Sequence, residues 1–407
     1  MIERAALLAA AFILVPGAAA AVDFNIDGYA DFRLIVPSDQ VSWRDGGLGK
    51  LRYGSENAKP DFEFAEAAVD VSAVILPELL AVASARAAMK QHSAVDLLEG
   101  YLRYRPVSTT AWRWSVKGGA FFPPVSLENT EIGWTSPWTL TPSAINSWIG
   151  EEVRIIGAEG TVEWRTAPRI LSVSAAVFAW NEPAGVLIAD RGWSLSDAFT
   201  GVFGRPRLPD VQATIMNVPA PLRTPEILQI DDRAGWYAAA TWDETGIAKL
   251  NLIAYDNEAD QSAIYDETIA WRTAFQDAGL TTQIGNVTLL AQGLIGQTAI
   301  RPSPFFSSDT HFSAAYLLAG WAVDDDWRIA TRFDIFAASA HTPFRSSNTH
   351  ESGNAITVAV NYLPNQWLRI TAEGIRLNST RSERFLAGLS PHAVENQFQL
   401  SARFYLP

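Results

Sequence analysis

Cysteine is missing altogether from this 407-residue chain. Its absence excludes a disulfide framework, thiolate metal sites and a cysteine nucleophile. Charge is scarce too: Asp, Glu, Lys and Arg make up 18% of the residues, and the formal net charge is -13. So little charge beside 48% hydrophobic residues argues against wholesale disorder. The acidic balance excludes a nucleic-acid binder, which needs a basic face to neutralise phosphates. The five histidines, His92, His311, His341, His350 and His392, share no metal-ligand spacing. Neither a Gly-x-Ser-x-Gly elbow nor a phosphate-cradling glycine loop ending in Lys is present. No catalytic residue, metal or cofactor is therefore expected, and the chain does not read as an enzyme.

Aromatic rings, by contrast, are abundant: 15 Trp, 10 Tyr and 20 Phe against 3 Met. One apolar run, Ala5–Val15, follows Arg4 and leads through Pro16-Gly17 into Ala18–Ala21. This charged, apolar and small-residue order predicts an export signal over 1–21, leaving 22–407 as one mature domain. The run falls short of the roughly 20 residues of a spanning helix, and no later stretch is both long and uncharged enough to supply one. The mature chain is then either soluble or inserted in a membrane as strands.

Period-two alternation runs through the mature chain, as half-buried strands require. Phe398, Leu400, Ala402, Phe404 and Leu406 share one face, and Gln397, Gln399, Ser401 and Arg403 the other. Trp327, Ile329, Phe333 and Ile335 alternate with Arg328, Arg332 and Asp334 in the same way. About sixteen strands are expected, within a range of about 14–18 because strand ends are the least certain feature. They fall near 23–36, 60–76, 78–91, 94–106, 110–122, 151–165, 169–181 and 235–243, then 247–256, 268–278, 284–298, 310–322, 326–338, 354–363, 366–378 and 392–406. Connections after even-numbered strands are short, and most after odd-numbered strands are long, including 123–150, 182–234 and 299–309. A soluble sandwich has no reason to sort its loops this way, whereas a transmembrane barrel has short turns on one side and long loops on the other. The expected fold is all-β: a closed antiparallel transmembrane β-barrel, with apolar faces toward lipid and charged faces toward a wet interior.

Inward charges expected to line the pore are Arg103, Arg105, Arg113, Lys117, Glu159, Glu163, Arg165, Arg272, Arg328, Arg332, Asp334, Arg369, Glu373 and Arg403, with Glu66, Asp70 and Glu99 on the same faces. Such charges set a field across a lumen or pair with their neighbours on the wall. Trp112, Trp134, Trp138, Trp148, Trp193, Trp321, Trp327 and Trp367 fall at strand ends or in loops, where an interfacial girdle would place them. The connection 123–150, carrying Pro123, Pro124, Glu128, Asn129, Trp134, Trp138 and Trp148, is too apolar for a solvated loop, so it is expected to fold inward and constrict the pore. The longer 182–234 connection is of a size that is usually functional or disordered.

Asp27-Gly28-Tyr29 opening the first strand, the run Gly119-Ala120-Phe121-Phe122-Pro123-Pro124 and the alternating last strand resemble Gram-negative outer-membrane porins. Within those, the Gly-x-Phe-x-Pro-Pro stretch followed by Leu127-Glu128-Asn129 is similar to the phosphate-selective porin family. The chain departs from such proteins at Phe404-Tyr405-Leu406-Pro407, where they usually carry a terminal aromatic. The resemblance implies a trimeric, loop-constricted channel in the cell outer membrane, in contact with its lipid and passing small hydrophilic solutes by diffusion. Two readings compete with it: an exported soluble all-β protein that stacks sugars on its Trp rings, and a plugged or enzymatic barrel.

Overall fold

The computed structural model describes residues 22–210, 222–343 and 348–406; the expected export segment, 1–21, lies outside the described residues. Sixteen strands form one ring, each paired antiparallel to its neighbours in chain order. They are β1 (Asp23–Val36), β2 (Asp61–Leu76), β3 (Leu79–Ala87), β4 (Val95–Tyr104), β5 (Trp112–Phe121), β6 (Ile155–Thr166), β7 (Arg169–Ala179) and β8 (Gly235–Glu244). The ring continues with β9 (Ala248–Asp256), β10 (Arg272–Ile284), β11 (Val287–Ser303), β12 (Phe306–Ala322), β13 (Trp327–His341), β14 (Thr349–Asn365), β15 (Leu368–Arg381) and β16 (His392–Tyr405). β16 returns to β1, from Tyr29 opposite Tyr405 to Val36 opposite Phe398, so no sheet edge is left open. Among the described residues no helix is long and apolar enough to cross a membrane.

The two faces of the wall differ as the alternation requires. Phe32, Leu34, Val173, Leu317, Phe333, Ile335, Phe398 and Leu400 point outward and are exposed. Their strand neighbours Arg33, Asp334, Gln399 and Arg332 point inward and are buried. A soluble sandwich would bury the first set and expose the second. The apolar exterior therefore argues against the sugar-binding alternative and for strands solvated by lipid.

Trp112, Trp321, Trp327 and Trp367 are exposed at the short-turn end of the wall, where an aromatic girdle belongs. Trp148 and Trp193 are fully buried inside the ring, with Trp134 and Trp138 packed against the same core, so the girdle reading fails for these four. The expected long connection 299–309 is also absent. β11 and β12 extend through it to a tight turn at Pro304-Phe305, because alternation continues above the apolar belt and a polar outer face hides it.

The mid-wall position of Phe333 makes the membrane reading testable. Phe333→Arg should destabilise the barrel by about 2–4 kcal/mol in urea unfolding from lipid vesicles. Ser172→Arg, which points into the half-wet interior, should change stability by less than about 1 kcal/mol.

Candidate functional site: the filled lumen

The inner faces do not enclose an empty pore. Loop 3 (122–154) leaves β5 three residues after Gly119, whose φ of +141° and close approach to the Gly100 carbonyl leave no room for a Cβ. Phe122 then stacks on Trp134 at 4.4 Å, and the Arg154 guanidinium lies over the Phe122 ring. From there the loop crosses to the opposite wall and is held by that wall's inward side chains. Gln292 of β11 donates to the Val125 carbonyl at 2.7 Å. Arg332 of β13 donates to the Thr141 and Pro142 carbonyls at 2.7 and 3.0 Å, with Asp334 at 2.8 Å and Glu128 at 3.3 Å beside it. Glu373 of β15 accepts from the Leu140 N–H at 2.7 Å, and Arg369 pairs with Glu131 at 2.7 Å. Arg403 of β16 reaches Thr135 at 3.2 Å.

The loop ends in helix α1 (Ala144–Glu152), all of whose residues are buried. Ser143 caps it by accepting from the Asn146 N–H, and Asp334 accepts from the Ala144 N–H, so two otherwise unpaired N-terminal donors are satisfied. A carboxylate at a helix N-terminus also meets the positive end of the helix dipole.

The described part of loop 4 that follows β7, residues 180–210, packs on top. Its helical turns, Ala184–Val186 and Leu187–Arg191, lie against α1: Trp148 donates to the Ala184 carbonyl at 3.0 Å, and Arg191 pairs with Glu151 at 2.6 Å. Trp148 meets Trp193, Phe275 and Phe312 edge to face. One apolar cluster thus joins both loops to β7–β15. Further on, Trp193 donates to Glu351 and to the Ala337 carbonyl, each at 2.9 Å, while Asp96 of β4 accepts from the Gly201 and Phe203 N–H groups, each at 3.0 Å. Loop 1 (37–60) adds Lys50, which pairs with Glu351 at 2.5 Å.

The expected pore-lining residues divide accordingly. Arg332, Asp334, Arg369, Glu373 and Arg403 point inward but are sealed beneath loop 3, where they anchor it. Arg103, Arg113, Lys117, Glu163, Arg165 and Arg328 point inward and stay partly open to solvent. With Glu159 they lie on β4, β5, β6 and β13, toward the short-turn end of the wall. Lys117 pairs there with Glu159 at 3.1 Å, and Arg165 with Glu163 at 2.5 Å. Two expectations need correction. Arg105 lies past the end of β4 in the following turn and is exposed. Arg272 lies on the outer face, because β10 turns Thr273, Phe275 and Asp277 inward, and it pairs with Asp256 and Glu258 at 2.8 and 3.0 Å. Of the expected loop residues, Pro123, Glu128, Asn129 and Trp148 are buried, Trp134 and Trp138 partly so, and Pro124 is exposed.

Sequence reasoning placed Glu66 and Arg403 inward but missed the charge cluster to which they belong. Asp31, Arg33, Glu66, Arg86 and Arg403 on β1, β2, β3 and β16 meet Arg52 of loop 1 and Asp197 of loop 4, all buried. Carrying the alternation through β1 and β3 would have found Asp31, Arg33 and Arg86; nothing periodic marks Arg52 or Asp197.

Burial shifts the ionisation of the loop groups. It pushes Glu182 up to about 8 despite hydrogen bonds from Tyr255 and Asn257, and pushes Glu151 and Glu152 up as well. Burial brings Lys50 down to about 7, with Glu351 opposing it. Among the described residues no group of three or more His, Asp or Glu is arranged to hold a metal ion.

A closed sixteen-stranded ring with loops inside and an apolar exterior is an outer-membrane β-barrel, with the fold that solved porins share. No protein-family model matches the chain, and no curated protein matches its sequence. Solved structures match over nearly its whole length. The outer-membrane channel DcaP of Acinetobacter baumannii is similar with a TM-score of 0.56 at 12% identity, covering 96% of this chain and 99% of that one. Salmonella typhi OmpF, solved with daunomycin, gives 0.54 at 10% identity, covering 94% and 97%. An anion-selective porin from Comamonas acidovorans gives 0.51 at 7% identity, covering 95% and 100%. Likeness at such identities establishes the fold. The narrower resemblance to phosphate-selective porins rests on the Gly119–Asn129 stretch alone.

Two outcomes follow for the loops. Arg332→Leu strands Glu128 and Asp334 without their cation, a loss of about 3–5 kcal/mol for a buried pair; amide exchange across 128–146 should accelerate. Glu182, raised when buried, favours the packed loop most at low pH, and that contribution disappears as pH rises through about 8. Lys50 acts in the opposite sense, but only above about 7. Exchange across 182–191, corrected for intrinsic rates, should therefore rise between about pH 5 and 7, and Glu182→Gln should reduce the rise, the remainder belonging to Asp190, which burial pushes up to about 7, and to Glu151 and Glu152.

Proposed function

We propose that this protein is a porin-like channel of the cell outer membrane, exported by its first 21 residues, that passes small hydrophilic solutes or ions by passive diffusion. The observation that carries this reading is the two-faced closed wall, apolar outside and charged inside, together with its likeness to solved porins. Loop 123–150 acts as the constriction, since its anchors on four strands, β11, β13, β15 and β16, would have to break for it to leave the lumen. The half-wet charges Arg103, Arg113, Lys117, Glu163 and Arg165 form the vestibule through which solutes pass. No residue is assigned a catalytic role. The homotrimer that the porin resemblance implies belongs to the same proposal, and crosslinking of the detergent-solubilised protein tests it.

One observation favours a second reading, a barrel plugged in its resting state. Trp148, Trp193, Leu187, Phe275 and Phe312 form one buried apolar cluster where an open channel would hold water. Planar-bilayer recording of the folded protein separates the two. Steady conductance that increases on deletion of Thr130–Ile145 supports the constricted channel. A silent wild type and a conducting deletion would establish the plug, and silence of both would refute a channel.

A further inference from the structure

Asp197 is the one carboxylate that loop 4 delivers to the charge cluster on β1–β3 and β16. Its Oδ2 lies 2.7 Å from Arg33 Nη1 and 2.9 Å from Arg52 Nη1, with the side chain 3% exposed. Arg86 reaches the same strand of loop, donating to the Asp197 carbonyl at 2.5 Å and to the Phe199 carbonyl at 3.1 Å. Two planar guanidinium groups facing one carboxylate is how proteins recognise a carboxylate ligand. Here the carboxylate belongs to the chain itself.

The surrounding wall is short of anions. Four guanidinium groups, those of Arg33, Arg52, Arg86 and Arg403, face only Asp31 and Glu66 once Asp197 is set aside. The Nε donors of Arg52, Arg86 and Arg403 are buried without a hydrogen-bond acceptor, and both carboxylate oxygens of Asp197, though close to Arg33 and Arg52, are likewise without a well-aligned hydrogen bond. Unpaired buried groups are costly, so Asp197 is held there by charge more than by hydrogen bonds, and a carboxylate free to align with the donors can take its place. Burial alone would raise Asp197, yet Arg33 and Arg52 hold it well below the usual carboxylate range.

We propose that this arginine cluster is an anion-binding site on the inner wall, occupied in the closed state by Asp197, and that small carboxylate solutes compete with Asp197 and release the 193–203 segment of loop 4 from the wall. The proposal rests on the channel reading and supplies its substrate class. A carboxylate is favoured over other anions because the resident ligand is one. The exchange leaves the site's charge unchanged: one carboxylate departs with the loop as another arrives. Being tethered, Asp197 competes at an effective concentration on the order of millimolar or more, so only an abundant solute displaces it.

The test uses the full chain folded in detergent, with sodium acetate as the smallest mimic of an aspartate side chain. Amide exchange across 193–203 is followed in acetate and in sodium chloride of equal ionic strength. Acetate should accelerate exchange several-fold over chloride in the wild type. Asp197→Asn should exchange fast without acetate and ignore it, while Asp197→Glu should restore protection and the response. Equal exchange in acetate and chloride would overturn the proposal, as would an Asp197→Asn loop that stays protected. Heat-dependent gel mobility verifies that each variant retains the barrel, and the wild-type comparison needs no variant at all. Bilayer recording separates the two claims. An acetate response without conductance keeps the anion site and discards the channel; conductance without an acetate response does the reverse.

Discussion

Every backbone N–H and C=O that enters a bilayer must find its partner within the protein, because lipid offers none. The return of β16 to β1 meets that demand, and most other features follow from it. A ring has an inside and an outside, so period-two alternation becomes a division between two solvents. Closure also places the chain's connections in two groups at opposite ends. Those on the long side have only two places to go, outward into solvent or inward into the ring. Loops 3 and 4 go inward.

Their inward course has an electrostatic cause as well as a hydrophobic one. Arg332 and Asp334, side by side in sequence alternation, would sit on the wall beside a wide aqueous space if the loops were outside. With the loops inside they are cut off from water, and desolvation must be offset by close partners. The partners are mostly backbone groups. Arg332 takes two loop carbonyls, and Glu373 and Asp334 take loop N–H groups. Irregular backbone and wall charges therefore satisfy each other, which is why a loop of 33 residues with little regular structure can be packed in a lumen. The apolar cluster around Trp148 contributes the area term, and the charged rim fixes the register.

Much of this architecture is legible in the residues. All sixteen strands lie where alternation puts them, and the displaced boundaries, such as β10 starting at Arg272, have an identifiable source. Around Thr268–Trp271 apolar residues continue into a two-residue hairpin, Ile264–Tyr265 with Thr268–Ile269, that is no part of the wall. Arg272 was assigned inward by the same slip, since moving a strand by one residue reverses every face. The eight loop and strand-end Trp residues could not be sorted by position alone. A ring at a strand end meets the headgroups if it points outward and the core if the chain beyond it turns in, and only the loop's path decides which. Asp197 and Arg52 illustrate the deeper limit. They meet across 145 positions of sequence through irregular backbone, where no period relates one residue to another.

The division of the lumen bears on how such a molecule could work. Below loop 3, Lys117, Glu163 and Arg165 remain within reach of water, and their pairs are of the partly screened kind that contributes little stability. Above it, the charges are desolvated and coupled, so each depends on all its partners. The charges below loop 3 can therefore rearrange at little cost, whereas those of the upper lumen cannot until their charge balance changes. Movement of loop 4 therefore requires an exchange of partners rather than simple thermal loosening. Asp197 is the place where that exchange involves one loop carboxylate against a fixed arginine wall. Since Arg33 belongs to β1 and Arg52 to loop 1, the contacts of Asp197 are made by side chains alone, and the proposed exchange of partners there would leave the ring's backbone hydrogen bonding untouched.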